Sequence, residues 1–224
     1  MPIRKKMLAA AAMLTTIAGS GAVAATPAVA ATPECAPHCV QIYSAKYGTA
    51  EKPRFVESVF RGIAKAGVPT GLRRVSSRNP AGDLIVRRAG TVSDFFAGGM
   101  VSAEVNANYG NLRAVQIEYA PRGNATGLCA GVATSPYQGQ PLTLQPCEVP
   151  GRTVFIIDTK DSPATAPDTF PIIIGATTDF VRPFAMTIDA NPARHKFVPI
   201  RLRHLRGNPD RVPANQLWGS KVLN

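Results

Sequence analysis

One short motif occurs three times in this chain, and the repeat limits the folds that are available to it. Residues 67–72 read GVPTGL, residues 139–144 read GQPLTL, and residues 197–202 follow the same outline as FVPIRL. Each copy is preceded by a short apolar run and followed by another. A unit of this size cannot bury its apolar face alone. We therefore expect three hairpin-rich units that close around one core as a pseudo-threefold barrel.

Turn-forming residues are spread along the whole chain. With 19 glycines and 20 prolines, long helices are disfavoured and many short strands are favoured, so the predicted class is all-β. Residues 55–63 carry apolar side chains at helical spacing, but the repeat favours a strand there. Residues 93–108, with Ser93 as N-cap, are typical of a short helix. The predicted repeats span about 41–88, 112–160 and 170–220, with an insertion at about 90–111.

The start of the chain has the three parts of a secretory signal peptide. Three cations at positions 4–6 precede an apolar stretch, and small residues then form candidate cleavage sites near Ala24 and Ala30. A membrane anchor is the alternative, but the stretch is rich in Ala and Gly and barely reaches the length of a span. No later segment is long and apolar enough to cross a bilayer. We expect a signal peptide at 1–30, a lead at 31–40 and an extracellular domain at 41–224.

Four cysteines in an oxidising compartment are expected to form disulfides. Three pairings are open, and we favour Cys35–Cys39 and Cys129–Cys147 because each pair lies within one local segment. Three residues separate Cys35 from Cys39, whereas the redox motif has two. Further ligands at zinc-like spacing are not seen. We therefore expect neither a metal nor a cofactor.

The chain is basic, with a formal net charge of +11. Cations crowd the C-terminal part, where Asp189 and Asp210 are the nearby acids. Such a surface attracts anionic polysaccharide, an anionic cell envelope or nucleic acid, or it simply keeps the protein soluble. Few aromatic residues are interleaved, so a stacking platform for bases is not expected. The predicted cationic patch comprises Arg194, Lys196, Arg201, Arg203, Arg206 and Arg211.

Two features of the sequence match one known family. Residues 127–132 read GLCAGV and residues 139–147 read GQPLTLQPC, so one Cys opens a strand and a second Cys closes the next. Residues 216–218 read QLW, a Q-x-W signature. This pattern resembles the ricin-type β-trefoil, the R-type lectin-like fold, and also small secreted bacterial proteins of unassigned activity. The resemblance implies a Cys129–Cys147 bridge and a Trp in the core. The predicted core residues are Leu72, Leu144, Leu202 and Trp218.

The resemblance also implies sugar-binding positions, which this chain matches only in part. In that family an Asp precedes the apolar residue that ends the first strand of a unit, and it accepts hydrogen bonds from sugar hydroxyls. The matching positions here are Ser58, Gly131 and Thr187. Glu57 is expected to point to the opposite face of a regular strand. Galactose binding of the usual kind is therefore not expected.

The other parts of a sugar pocket occur once or not at all. The Gln of Q-x-W is present once, because the other units read GDL at 82–84 and RTV at 152–154. Tyr137 is the aromatic candidate for stacking on a sugar ring. The predicted ligand contacts are Tyr137, Asn215 and Gln216.

The leading expectation is a secreted, non-catalytic binding module for a cell-envelope or other anionic glycan. The alternative is a secreted inhibitor or protein-interaction trefoil whose sugar pockets have lapsed. A hydrolase is the third class, with His38, His195 and His204 as the available neutral bases. No orienting partner or pocket accompanies these histidines in a recognisable motif. Specific nucleic-acid binding is not expected.

Overall fold

The computed structural model describes residues 39–76, 79–206 and 212–223. The predicted signal peptide, Cys35 of the predicted Cys35–Cys39 bridge and Arg211 of the predicted cationic patch lie outside these described residues. Within them, no helix has both the length and the apolar character that a membrane span requires.

Thirteen strands, two short α-helices and several single-turn 3-10 helices make up the regular structure of the described residues. The first unit contains β1 (Cys39–Ser44), β2 (Phe55–Val59), β3 (Thr70–Arg74) and β4 (Leu84–Thr91). The insertion contains α1 (Val92–Ala97) and α2 (Ala103–Tyr109). The second unit contains β5 (Arg113–Tyr119), β6 (Leu128–Gly131), β7 (Thr143–Pro146) and β8 (Phe155–Ile157). The third unit contains β9 (Ile172–Ile174), β10 (Phe184–Thr187), β11 (Val198–Pro199), β12 (Arg201–His204) and β13 (Trp218–Val222).

Six of these strands form a closed barrel. Strand β1 pairs with β4, β4 with β5, β5 with β8, and β8 with β9, all antiparallel. Phe170, just before β9, exchanges both backbone hydrogen bonds with Trp218 of β13, each at 2.9 Å. Strand β13 in turn pairs with β1 over five residues, which completes the circle. Closure leaves the barrel without an exposed edge strand.

Three hairpins cover one end of the barrel and meet on a common axis. They are β2–β3, β6–β7 and the pair of β10 with β12. The Thr70 amide donates to the Leu142 carbonyl at 3.0 Å, the Leu142 amide to Ile200 at 2.9 Å, and the Ile200 amide to Thr70 at 3.1 Å. Each of these residues follows the proline of one copy of the repeated motif. The three copies therefore occupy equivalent places around a pseudo-threefold axis.

The apolar residues of all three units fill one central core. Leu72, Leu144, Leu202 and Trp218 are fully buried members of this core. The indole Nε1–H of Trp218 donates to the Met186 carbonyl at 2.9 Å, so its polar atom is satisfied inside the core. A disulfide joins Cys129 to Cys147 across the β6–β7 hairpin. This bridge ties together the two strands that the sequence pattern had linked.

Two local expectations are resolved by the strand pairing and the helix ends. Residues 55–59 form a strand, as the repeat indicated, although their spacing also suits a helix. The insertion is helical, but it consists of two helices rather than one. Thr91, not Ser93, is the first N-cap, and its side chain forms a capping box with Asp94. The break follows at Gly98 and Gly99, where Gly99 has a φ of 70° that glycine tolerates best.

In the second unit, the residue that corresponds to Trp218 is Phe155, one position later than the comparison of the three units in the sequence indicated. Leu84, Phe155 and Trp218 all belong to the central core. Val154, which the alignment had placed there, instead packs in the outer cluster under the helices. Counting two positions back from each core residue, Gly82 and Thr153 correspond to Gln216.

An ionisable residue, Glu57, lies inside the central core. It pairs with Leu72 in the hairpin, as Ala130 pairs with Leu144 and Met186 with Leu202. Only 1% of Glu57 is exposed, and its Oε1 atom has no hydrogen-bond partner among the described residues. Burial raises the pKa of Glu57 from 4.5 to about 7, and the neighbouring Thr70 hydroxyl offsets part of that rise. Glu57 therefore points away from the outer face of the hairpin, and burial favours its neutral form.

We predict that Glu57 makes the protein less stable as the pH rises. The folded-state pKa is above the unfolded value, so the stability is full below about pH 4.5 and falls until about pH 7, by about 3 kcal/mol in total. Glu57→Gln removes this dependence. Urea unfolding should show the variant gaining about 3 kcal/mol relative to the parent between about pH 4 and pH 8. A difference that does not change with pH would contradict the prediction.

Candidate functional site

The candidate site is a cleft of about 520 Å³ in the third unit. It lies between the end of β10, strand β12 and the turn that leads into β13. Its volume is within the range that holds small ligands. We call it the third-unit cleft. Its lining residues are Thr187, Asp189, Arg203, Arg206, Pro213, Asn215 and Gln216.

An aspartate–arginine pair forms one wall of the third-unit cleft. Arg203 Nη2 lies 2.7 Å from Asp189 Oδ2, and Arg203 Nε lies 3.2 and 3.3 Å from the two carboxylate oxygens. Both side chains are about one-third exposed. The pair thus fixes a carboxylate at the cleft while leaving part of each group available to a ligand.

Gln216 forms the floor of the cleft and is held from both ends of its amide. Its Nε2 donates to Thr187 Oγ1 at 3.0 Å and to the His204 carbonyl at 3.1 Å. Its Oε1 accepts from the Arg206 amide at 3.1 Å. Only 1% of Gln216 is exposed. The side chain therefore joins the β10–β12 hairpin to the barrel and has little surface left for a ligand.

Asn215 and Arg206 supply the more accessible polar groups. Asn215 donates from Nδ2 to the Ile188 carbonyl at 3.0 Å, which holds its amide plane, and its Oδ1 has no partner among the described residues. The side chain of Arg206 is exposed and makes no ion pair within the described part of the chain. The cleft thus offers one amide oxygen and one guanidinium besides the Asp189–Arg203 pair.

The corresponding places in the other two units are much smaller or filled. In the first unit, a hollow of about 60 Å³ lies beside Ser58 and Gly82. In the second unit, a Cβ atom added to Gly131 would collide with the Arg152 carbonyl. Thr153, at the position of Gln216, accepts from Gln116 Nε2 at 2.9 Å and donates to the Cys147 carbonyl at 2.9 Å. The third unit is therefore the best developed of the three.

Tyr137 is not among the residues that line the third-unit cleft. Its side chain is 54% exposed, and its loop packs against β12, where Gln138 Oε1 accepts from the His204 amide at 2.9 Å. The structure thus places Tyr137 on the surface near the third unit without bringing it to Asn215 and Gln216.

The residues of the predicted cationic patch do not form a single surface. Arg203 and Arg206 line the third-unit cleft. Arg194 and Lys196 line a separate hollow beside Phe55. Arg201 donates to the Gly139 carbonyl at 2.8 Å, which joins two units. These cations are neighbours in sequence, but Arg194 and Lys196 belong to the turn before β11, whereas Arg201 and Arg203 belong to β12 and Arg206 follows it.

Sequence comparison missed Asp189 as a residue of the site. The family position is occupied by Thr187, as expected, but Asp189 follows two residues later and reaches the same cleft. Residues i and i+2 of an extended segment point to the same side. This alternation was the signal in the sequence that could have identified Asp189.

Comparison with known proteins bears on the fold. No protein-family model matches the chain, and no curated protein matches it. Among solved structures, the designed three-fold symmetric protein ThreeFoil superposes with a TM-score of 0.51 at 8% identity, covering 81% of this chain and 96% of that chain. Together with the closed barrel and the ring of three hairpins, this likeness identifies the architecture. The chain has the β-trefoil fold.

The predicted β-trefoil with a short helical insertion is thus confirmed. Two further solved structures also superpose, with lower TM-scores. The Macrolepiota procera ricin B-like lectin, solved with lactose, gives a TM-score of 0.48 at 10% identity, covering 83% of this chain and 95% of its own. The Rhizoctonia solani agglutinin gives 0.49 at 13% identity, covering 82% and 94%.

We predict that Gln216 is more important for stability than Asn215, although the two are adjacent. Gln216→Ala removes three hydrogen bonds, one to the buried Thr187 hydroxyl and two to the partly buried Arg206 amide and His204 carbonyl, which costs about 2 kcal/mol or more. Asn215→Ala removes one partly exposed hydrogen bond and costs about 1 kcal/mol or less. Urea unfolding of both variants measures the difference. Equal or reversed losses would show that Gln216 does not join the hairpin to the barrel.

Proposed function

We propose that this protein is a secreted, non-catalytic, lectin-like module that binds an acidic glycan of a cell envelope through the third-unit cleft. The observation that carries the proposal is the cleft itself, which combines a ligand-sized volume with a carboxylate, two guanidinium groups and an amide. Secretion rests on the signal-like sequence at the start of the chain.

The polar groups of the cleft match the chemistry of sugar hydroxyls, which both donate and accept hydrogen bonds. Asp189 and the Oδ1 atom of Asn215 are acceptors, and the Arg203 and Arg206 guanidinium groups are donors. Arg206 has no ion pair in the described chain. A carboxylate on the sugar is a suitable partner for it. This is why an acidic glycan is favoured over a neutral one.

The proposed recognition depends on polar contacts more than on ring stacking. None of the residues that line the cleft is aromatic, so a sugar gains no stacking energy there. A single sugar unit is therefore expected to bind weakly, and the exposed surface around the cleft is expected to contribute through longer chains.

A binding role is favoured over hydrolysis because one carboxylate, rather than two, lines the cleft. Glycoside hydrolysis generally uses two carboxyl groups on either side of the scissile bond. The lining contains one, Asp189, and Arg203 already holds it as an ion pair. A lining with one carboxylate does not supply the pair of carboxyl groups that this reaction uses.

A second candidate is a secreted inhibitor or protein-interaction module. The observation in its favour is that the first-unit hollow measures only about 60 Å³ and the second-unit position is filled by its own backbone. Lapsed pockets are what such a role predicts, whereas the third-unit cleft is what the glycan role predicts.

A glycan array separates the two roles. We expect the secreted protein to bind acidic glycans, and Asn215→Ala to weaken this binding by about tenfold, since one directed hydrogen bond of about 1.4 kcal/mol is lost. Asn124→Ala, the same substitution in an exposed turn, is the matched control and should bind like the parent.

Two results would contradict the glycan role. One is no binding to any glycan at low or high salt. The other is binding that Asn215→Ala and Asn124→Ala leave equally unchanged, because the cleft would then take no part.

A further inference from the structure

A second basic surface lies where the first unit meets the turn at residues 191–196 of the third unit. Two hollows of about 380 and 440 Å³ adjoin each other and share Phe55, Arg74 and Ala193. They lie where strands β2 and β3 meet the turn at residues 191–196. We call them together the basic groove. It shares no lining residue with the third-unit cleft.

Six cations line the basic groove, and its lining contains no acid. None of the six makes an ion pair within the described part of the chain. Glu51 lies in the loop before β2 but does not line either hollow. Positive charges gathered without counter-charges repel each other and concentrate anions from solution. The six cations are Lys46, Arg54, Arg73, Arg74, Arg194 and Lys196.

The floor of the basic groove holds part of this charge in place. Phe55 is 5% exposed and meets the ring of Tyr47 edge to face, with centroids 5.9 Å apart. The Arg74 guanidinium lies 5.7 Å from the centre of the Phe55 ring, and the Lys46 ammonium lies 5.6 Å from that of Tyr47. These cation–π contacts restrict two of the cations before any ligand arrives.

The opposite side of the groove is fixed by a capped turn. Asn191 Oδ1 accepts from the Ala193 amide at 2.9 Å, and Pro192 is buried beneath. Arg194 and Lys196 follow directly and are exposed. Three segments that are distant in sequence therefore present cations to one groove on defined backbone.

We propose that the basic groove binds an acidic polysaccharide that carries carboxylates along its length. Four of the six cations are arginines, whose planar guanidinium groups pair with carboxylates through two parallel hydrogen bonds. Two adjoining hollows suit a chain with repeated charges better than one small anion. The groove is a second binding surface, and it stands whether or not the third-unit cleft binds a sugar.

Nucleic acid is also attracted by the positive charge of the basic groove, but the groove does not offer free aromatic rings for its bases. Single-stranded nucleic acid is held by a basic track together with aromatic rings on which the bases stack. Phe55 is buried, and Lys46 and Arg74 of this chain already lie over the Tyr47 and Phe55 rings. A polysaccharide needs no stacking platform for its carboxylates, so it is favoured.

Binding of polygalacturonate, with a carboxylate on each sugar, tests the proposal. The triple variant Arg73→Gln, Arg194→Gln, Lys196→Gln should bind it about tenfold more weakly or worse, because three charges are lost from the lining of the groove. The control is Lys65→Gln, Arg113→Gln, Arg122→Gln, which removes the same charge from residues outside the groove. It should bind within about twofold of the parent. Equal melting temperatures show that all three proteins are folded.

Two further polymers test whether the carboxylates are recognised, and Asn215→Ala tests whether the groove acts independently of the third-unit cleft. Methyl-esterified polygalacturonate should not bind, and single-stranded DNA of the same length should bind more weakly than the acid form. The triple variant should lose the same factor in affinity for polygalacturonate in the Asn215→Ala background as in the parent, because the groove and the cleft share no lining residue.

The proposal is overturned by any of four results. These are no binding of polygalacturonate, equal losses in the two triple variants, equal binding of the esterified polymer, or tighter binding of the DNA.

Discussion

A ring of three backbone hydrogen bonds holds the three units to one another. The amides of Thr70, Leu142 and Ile200 each donate to the next residue of the set, so no unit can leave without breaking two bonds. The repeated proline precedes each of these residues and has no N–H of its own. The leucine two residues later fills the core beneath. The repeated motif is therefore the contact between units as well as a feature of each.

Equivalent positions around this ring have diverged, and the divergence creates the site. Gly82, Thr153 and Gln216 occupy the same place in their units. Thr153 accepts a hydrogen bond from Gln116 inside its own unit, and the Arg152 carbonyl occupies the space beside Gly131. Gln216 instead lines an open cleft, with Asn215 beside it. The core can tolerate this because its packing depends on Leu84, Phe155 and Trp218 rather than on the residues that face outward.

The fold could be predicted from sequence more fully than the binding surfaces. Periodicity and the repeated motif define which residues are buried, and they overruled the helical spacing of residues 55–63. The surfaces depend on where loops bring distant segments together. Arg73 and Arg194 are far apart in sequence yet line one groove. Arg201 and Arg203 are close in sequence, but Arg201 donates to a backbone carbonyl of the second unit and Arg203 pairs with an aspartate at the cleft. Charge counts alone do not contain that information.

Hydrogen exchange of native protein at the amides of Thr70, Leu142 and Ile200 tests the central claim most directly. If the ring joins three units into one cooperative core, all three amides exchange only through global unfolding, with the same free energy as urea unfolding. If one amide exchanges through an opening that costs at least about 2 kcal/mol less while the others stay protected, one unit opens alone. The ring would then not be what holds the trefoil together.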